Sequence, residues 1–219
     1  MKCAEVMKAL KAYGSEQTRK TYARHGIVGD LYGVKHGDLA KLRRKTGVDQ
    51  ALALKLWETG NYDARVFATQ IADPSLMRVK DLESWRKDLD GHALGNALSN
   101  VAQRSPMAVK IMRRWMAFKS ERVANAGWMM LAGIARENPD WLTKKEYREF
   151  LKTVEQTIHD VPNRVRHAMN AAVISIGSHV DEKSAMATAK RIGQVIVDHG
   201  DTSCKTPDAT AAIRKKRGH

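Results

Sequence analysis

The stretch DLDGHALGNALSN, residues 88–100, holds the side chains best spaced to act together. His92 and Asn96 stand four residues apart, so on a helix they share one face. A histidine can donate, accept or carry a proton near neutral pH. The Asn96 amide can hold a water or a base edge, but it carries no charge. It therefore cannot offset a developing cation as a carboxylate does. Carboxylates occur only at the start of the stretch, in Asp88 and Asp90. Asp90 ranks first as a catalytic acid. Both aspartates also suit a helix N-terminus, where a carboxylate accepts from free backbone N–H groups.

A second polar stretch is DHGDTSCKTPDA, with Asp198, His199, Asp201 and Cys204. No further Cys or His lies at zinc spacing, so no metal is expected. A Cys204 nucleophile paired with His199 lacks an orienting third group. Lys205 beside Cys204 suits either a lowered thiol pKa or a phosphate contact. The stretch reads as a turn leading into a short terminal helix capped by Asp208. With only Cys3 and Cys204, far apart, the chain reads as a reduced cytoplasmic protein without a disulfide framework.

Charge narrows the partner. The 38 Lys and Arg against 24 Asp and Glu give a formal net charge of +14 over 219 residues. The terminal RKKR supplies only four of those charges. An excess this large points to a polyanion, most often nucleic acid. No apolar run approaches the roughly 20 residues of a bilayer span, so no membrane partner is expected.

The elements that position these residues read as helices almost throughout. Ala, Leu, Met, Lys, Arg and Glu dominate, and Gly and Pro fall at helix-length intervals. Asp38 precedes LAKLRRKTG, with Leu39 and Leu42 on one face. VDQALALKLWETG turns Leu52, Leu56 and Trp57 inward. Ser105-Pro106 reads as a cap and first helical residue before MAVKIMRRWMAF. RVANAGWMMLAGIA and RVRHAMNAAVISIG are alike, each opening on Arg-Val and small residues that let neighbouring helices pack closely. Trp115 and Trp128 read as core, and Trp85, between Ser84 and Arg86, as half exposed. The pattern predicts an all-α protein, an α-solenoid of antiparallel helix pairs with a basic concave face. One domain over 1–205 is followed by a short terminal helix and basic tail over 206–219.

On such a scaffold the candidate phosphate contacts are Lys35, His36, Arg43, Arg44 and Arg65, then Arg104, Arg113, Arg114, Arg164, Arg166 and Lys205. No helix-turn-helix, zinc finger, basic zipper or RNP signature is present, so binding through backbone and shape is expected, with strong weakening by salt.

Several blocks carry a family resemblance. LYGVKHGDLAKLRRKTG and ALALKLWETGNYDARVFATQIADP resemble the N-terminal half of the DNA alkylation repair (AlkD-like) family, with its Tyr-Gly-Val turn and Leu-Trp-x-x-Gly. AGWMMLAGIA, DVPNRVRHAMNAAVISIGS and VDHGDTSCKTPDA resemble later parts, so the likeness spans roughly residues 28 to 213. The resemblance implies HEAT-like helical repeats with a concave DNA-binding face. It implies an activity, hydrolysis of the N-glycosidic bond of cationic alkylated purines, with no metal or organic cofactor. Such chemistry needs a carboxylate for an oxocarbenium-like sugar and aromatic faces for the cationic base.

At the working positions the sequence departs from the family. The family's aromatic and acid, four apart, align with His92 and Asn96. Its phosphate-clamping Arg aligns with Asn125, and its second aromatic with about Ala171. None of the four matches. A different register slides Trp85 and Asp90 onto the aromatic–acid pair, at a spacing of five rather than four. Three readings follow. The first is a DNA-binding protein of this family that acts on or near damaged duplex DNA, with excision of alkylated purines left open. The second is a non-catalytic binder of DNA structures, and the third a protein-interaction solenoid for an acidic partner. The expected partner is duplex DNA, damaged or distorted, met by a monomer in the cytoplasm on the nucleoid.

Overall fold

A computed structural model of the chain describes residues 1–27 and 29–218. Val28, at the start of the family-like stretch, and His219, at the end of the basic tail, lie outside the described residues. The described residues are all-helical, with no strand. They form two compact units, Met1–Val101 with Gly200–Thr202, and Ala102–His199 with the residues from Ser203 onward. No helix among the described residues is long and apolar enough to cross a membrane.

The first unit contains α1 (Cys3–Tyr13), α2 (Glu16–Arg24), α3 (His36–Thr46), α4 (Gln50–Glu58), α5 (Tyr62–Ile71), α6 (Val79–Lys87) and α7 (Gly91–Ala102), whose final residue belongs to the second unit. Short polar side chains set the helix starts. Asp49 accepts from the Leu52 N–H and Asn61 from the Ala64 N–H, each meeting an otherwise unpaired donor of the first turn. Asp38 lies inside the first turn of α3, since that helix begins two residues earlier at His36. Leu39, Leu42, Leu52, Leu56, Phe67 and Ile71 make the core of this unit, each at most 4% exposed.

The second unit contains α8 (Ala108–Met116), α9 (Glu121–Glu137), α10 (Lys144–Thr157), α11 (Asn163–His179), α12 (Glu182–Ile192) and α13 (Ala209–Arg217). α9 packs along α11, and α11 along α13; α8 packs on α9, and α10 on α12. The helices thus stack as pairs in two layers, α9–α11–α13 and α8–α10–α12. α8 starts later than Ser105-Pro106 suggested. The Ser105 hydroxyl donates to the Ala102 carbonyl and closes a turn at the end of α7, so the next helix opens at Ala108. Small residues let the layers close. A Cβ on Gly127 would fall 2.5 Å from the Met116 backbone nitrogen, and one on Gly177 would fall 2.5 Å from Ile213 Cδ1. Trp115 and Trp128 are core, at 0% and 4% exposure.

Candidate nucleic-acid interface

Two of the family-like motifs meet in the first unit. Asp63, in the first turn of α5, is fully buried. Its Oδ2 accepts from the backbone N–H groups of Tyr32 at 2.6 Å and Gly33 at 3.0 Å, and its Oδ1 from Val34 at 2.9 Å. Gly33 sits at φ +78°, and a Cβ there would fall 2.7 Å from the Ser15 carbonyl oxygen, so the turn requires glycine. The Tyr22 hydroxyl donates to the Val34 carbonyl at 2.6 Å. Burial, with the Asp63 charge added, pushes the Tyr22 pKa up to about 12. The Tyr-Gly-Val turn and the YDAR segment are therefore one structural unit joined by a carboxylate. Sequence reasoning missed Asp63, although an acid opening a helix thirty residues after a glycine turn was there to be seen.

Trp57 and Trp85 stack face to face, with ring centroids 4.2 Å apart and planes 2° from parallel. Trp85 is 3% exposed, which corrects the expectation of half exposure. It shares the buried face of α6 with Asp81 and Leu82, so its polar sequence neighbours point elsewhere. The Trp57 indole N–H donates to Asp88 Oδ2 at 2.8 Å, and the Arg65 guanidinium lies 3.3 Å from the same oxygen. Arg65 also donates to the Trp57 carbonyl and sits 5.5 Å from that indole's centroid. Asp88 caps the C-terminus of α6 rather than opening the next helix. Arg65, a candidate phosphate contact, has its head turned into this cluster.

The remaining candidates of the first unit divide between two helices. Asp90, half-buried, immediately precedes α7, which starts at Gly91 with φ +75°. Burial, then Tyr22, Asp63 and Asp90, raise the pKa of Tyr62, so Asp90 lies within electrostatic reach of that phenol. His92 and Asn96 are brought together on α7, both half-buried. All three residues interact with neighbours. Lys35 and His36 are exposed at the start of α3, and Arg43 and Arg44 in its last turn, about 12 Å away along the helix.

In the second unit Asn125 is 1% exposed within α9, and Ala171 is half-buried on α11. Arg104 and Arg114 are exposed. Arg113 pairs with Glu146 at 2.8 Å and lies 5.2 Å from the Phe150 centroid. Arg164 is half-buried at the start of α11, and its backbone N–H donates to Glu121 at 2.6 Å. The Arg166 guanidinium donates to the carbonyls of Ile158, His159, Val161 and Ile196, bracing the turn before α11 against the segment after α12.

That segment, 193–208, is without helix or strand, and its parts on either side of Gly200–Thr202 bond to α11. Asn163 holds both backbone groups of Asp198, donating to its carbonyl at 2.6 Å and accepting from its N–H at 2.8 Å. Asn170 donates to the Pro207 carbonyl at 2.9 Å. The rings of His167 and His199 meet edge to face at 5.7 Å, and His199 bonds Thr206 at 2.9 Å. Burial, then His199 and Arg164, hold the His167 pKa below the usual histidine value. The clasp of Asn163, Arg166, His167 and Asn170 follows helical spacing along one stripe of α11. That spacing is visible in NRVRHAMN. Cys204 and Lys205 are exposed in the segment, and Asp208 caps α13 by accepting from the Ala211 N–H. No cluster of His, Cys, Asp and Glu able to hold a metal occurs among the described residues.

A sequence profile of the family described as "DNA alkylation repair enzyme" matches residues 6–209. The chain belongs to this family. Within it, the chain is similar to Lin0241 of Listeria innocua, 28% identical over 216 residues that cover 95% of this chain and 94% of the relative. It is also similar to Lmo0209 of Listeria monocytogenes, 29% identical over 218 residues with the same coverage. Among solved structures, a protein described as belonging to "a new family of proteins related to the HEAT-like repeat DNA glycosylases with affinity for branched DNA structures" superposes with a TM-score of 0.90. It is 28% identical and covers 100% of this chain and 94% of its own. The family member described here thus has the HEAT-like fold that the resemblance implied.

Proposed function

We propose that this protein binds branched or distorted DNA and does not hydrolyse the N-glycosidic bond. The observation that carries the reading is the likeness, over the whole chain, to a HEAT-like repeat protein with affinity for branched DNA. The formal charge of +14 supports it, because a protein that neutralises several phosphates gains affinity by releasing counterions. The chemistry of α7 supports its non-catalytic part. His92 and Asn96 stand at the two positions where the resemblance puts an aromatic and an acid, and a neutral amide cannot stabilise an oxocarbenium-like sugar. The exposed cations Lys35, His36, Arg43, Arg44, Arg104, Arg114 and Lys205 are the candidate phosphate contacts, joined by the half-buried Arg164. Arg65, Arg113 and Arg166 are engaged in internal pairs and shape the scaffold that carries them. We place the protein as a monomer in the cytoplasm, associated with the nucleoid, with 1–205 acting as one functional domain and 206–219 as a basic tail.

Titration of a labelled four-way junction and a linear duplex of the same sequence across salt tests the reading. The junction should bind more tightly, and 6–10 phosphate contacts would weaken binding by roughly 10³–10⁵ between 50 and 200 mM salt. Salt-independent binding, or none at low salt, would overturn it. A duplex carrying 7-methylguanine should release base only at the spontaneous rate. Release above that rate, abolished in Asp90→Asn, would restore the glycosylase reading. Asp90 is the acid to test because it lies within reach of the Tyr62 phenol at the start of α7.

A further inference from the structure

Arg148, Lys152, Lys183 and Arg191 line a cleft of about 660 Å³ in the second unit, with Leu151 and Ala187 among its other walls. Two of these cations are held by carboxylates. Arg148 Nε donates to Asp181 at 2.9 Å, and Arg191 Nε donates to Glu155 at 2.9 Å. Thr188 donates its hydroxyl to Glu155 as well. One ion pair ties α10 to the N-cap residue of α12 and the other ties α10 to α12 itself, and each fixes the direction of a guanidinium. Each Arg also keeps further N–H donors, because a guanidinium has five. Lys152 and Lys183 are exposed and have no ion pair among the described residues. Four cations therefore face two carboxylates, and the surplus lies on the two lysines.

We infer that this cleft is a second phosphodiester-binding surface, which takes one arm of a branched DNA while the other cations of the molecule hold another. The inference rests on the DNA-binding reading above and adds a place to it. Spacing favours a nucleic-acid strand. Lys183 and Arg191 lie eight residues apart on α12, about 12 Å along its axis. Measured along the axis of a duplex, that span passes three to four phosphates of each strand, at about 3.4 Å each. Guanidinium forks pre-set by carboxylates suit phosphate oxygens, which they meet through paired N–H donors. None of the lining residues lies on α9, α11 or α13, so the surface is separate from Arg164 and from Lys205 on the segment clasped to α11. A junction offers this surface an arm that a linear duplex lacks.

The test compares four-way junction and linear duplex binding by the full-length protein and its Lys152→Gln/Lys183→Gln variant. Both lysines are exposed and unpaired, so the fold is retained, and a thermal melt checks this. The variant should lose about tenfold in junction affinity, and its salt slope should fall by about 1.8, two contacts at ~0.9 each. Its affinity for the linear duplex should stay within about twofold of the wild type by the same count. A control with equal charge loss outside the cleft, Lys144→Gln/Lys145→Gln, should not show the selective loss. Equal effects on both DNAs, or none, would overturn the inference while leaving DNA binding intact. Loss of wild-type binding to both DNAs would overturn the inference together with the reading beneath it. Poly-glutamate bound in the cleft, with DNA affinity unmoved in the variant, would assign the surface to an acidic protein and also overturn it.

Discussion

Asp63 accepts three consecutive backbone N–H groups, from Tyr32, Gly33 and Val34, in a site closed to water. Hydrogen bonds to a charged acceptor are stronger than neutral ones, and a buried donor left unpaired costs free energy. Asp63→Asn keeps the shape but turns one oxygen into a donor. Whichever way the amide is placed, at least one N–H group then faces another donor. We expect the variant to lose about 2–4 kcal/mol of stability, read as a lower urea midpoint with unchanged slope. A midpoint equal to wild type would remove Asp63 from this role. The sequence shows YDAR and LYGV as family-like blocks but not that they hold one another, because a carboxylate serving backbone amides needs no partner residue type. The same limit applies at Trp85. Its neighbours Ser84 and Arg86 are polar, and what buries it is Trp57, distant in sequence. His92 and Asn96 were legible as a pair on one helical face; the partners that engage them were not.

Helix α9 makes close approach to its neighbours a matter of single atoms. A Cβ on Gly127 would meet the backbone of Trp115 and Met116 at the end of α8, where no side chain can swing aside. Alanine is the better helix former by about 1 kcal/mol, so propensity alone predicts that Gly127→Ala stabilises. We expect the opposite, a net loss of about 1–3 kcal/mol from overpacking, measured by chemical denaturation. A gain would mean that α8 and α9 can move apart freely. This part of the fold could be read from the sequence, since the small residues of RVANAGW precede its large apolar run. The start of α8 could not, because Ser105 looks like a helix cap and instead closes the turn before it.

Across the whole molecule, fold class and charge were the most legible properties, because helical periodicity and composition are summed over many residues. The docking of residues 193–199 and 203–208 on α11 was not, since it rests on long-range bonds to backbone groups. Acid sensitivity of the second unit is expected from two histidines, His167 beside the docked segment and His179 at the end of α11. Burial and then His199 and Arg164 lower the pKa of His167; burial and then Arg136, Arg217 and Lys216 lower that of His179. Below the ordinary value of 6.5 the unfolded chain takes up protons that the folded one refuses, so stability present above that pH is lost as pH falls. Urea midpoints should drop between pH 7.5 and 5.5, and His167→Gln should drop less than wild type. An equal drop would assign the sensitivity elsewhere.

The parallel indoles of Trp57 and Trp85 belong to the first unit, and Trp115, Trp128 and Trp141 to the second. Two stacked chromophores share their excitation, whereas indoles isolated in a core do not. The first half therefore carries an optical signal of its own. Near-ultraviolet dichroism can follow the loss of the coupled pair, so the melting of the first half can be watched without a label.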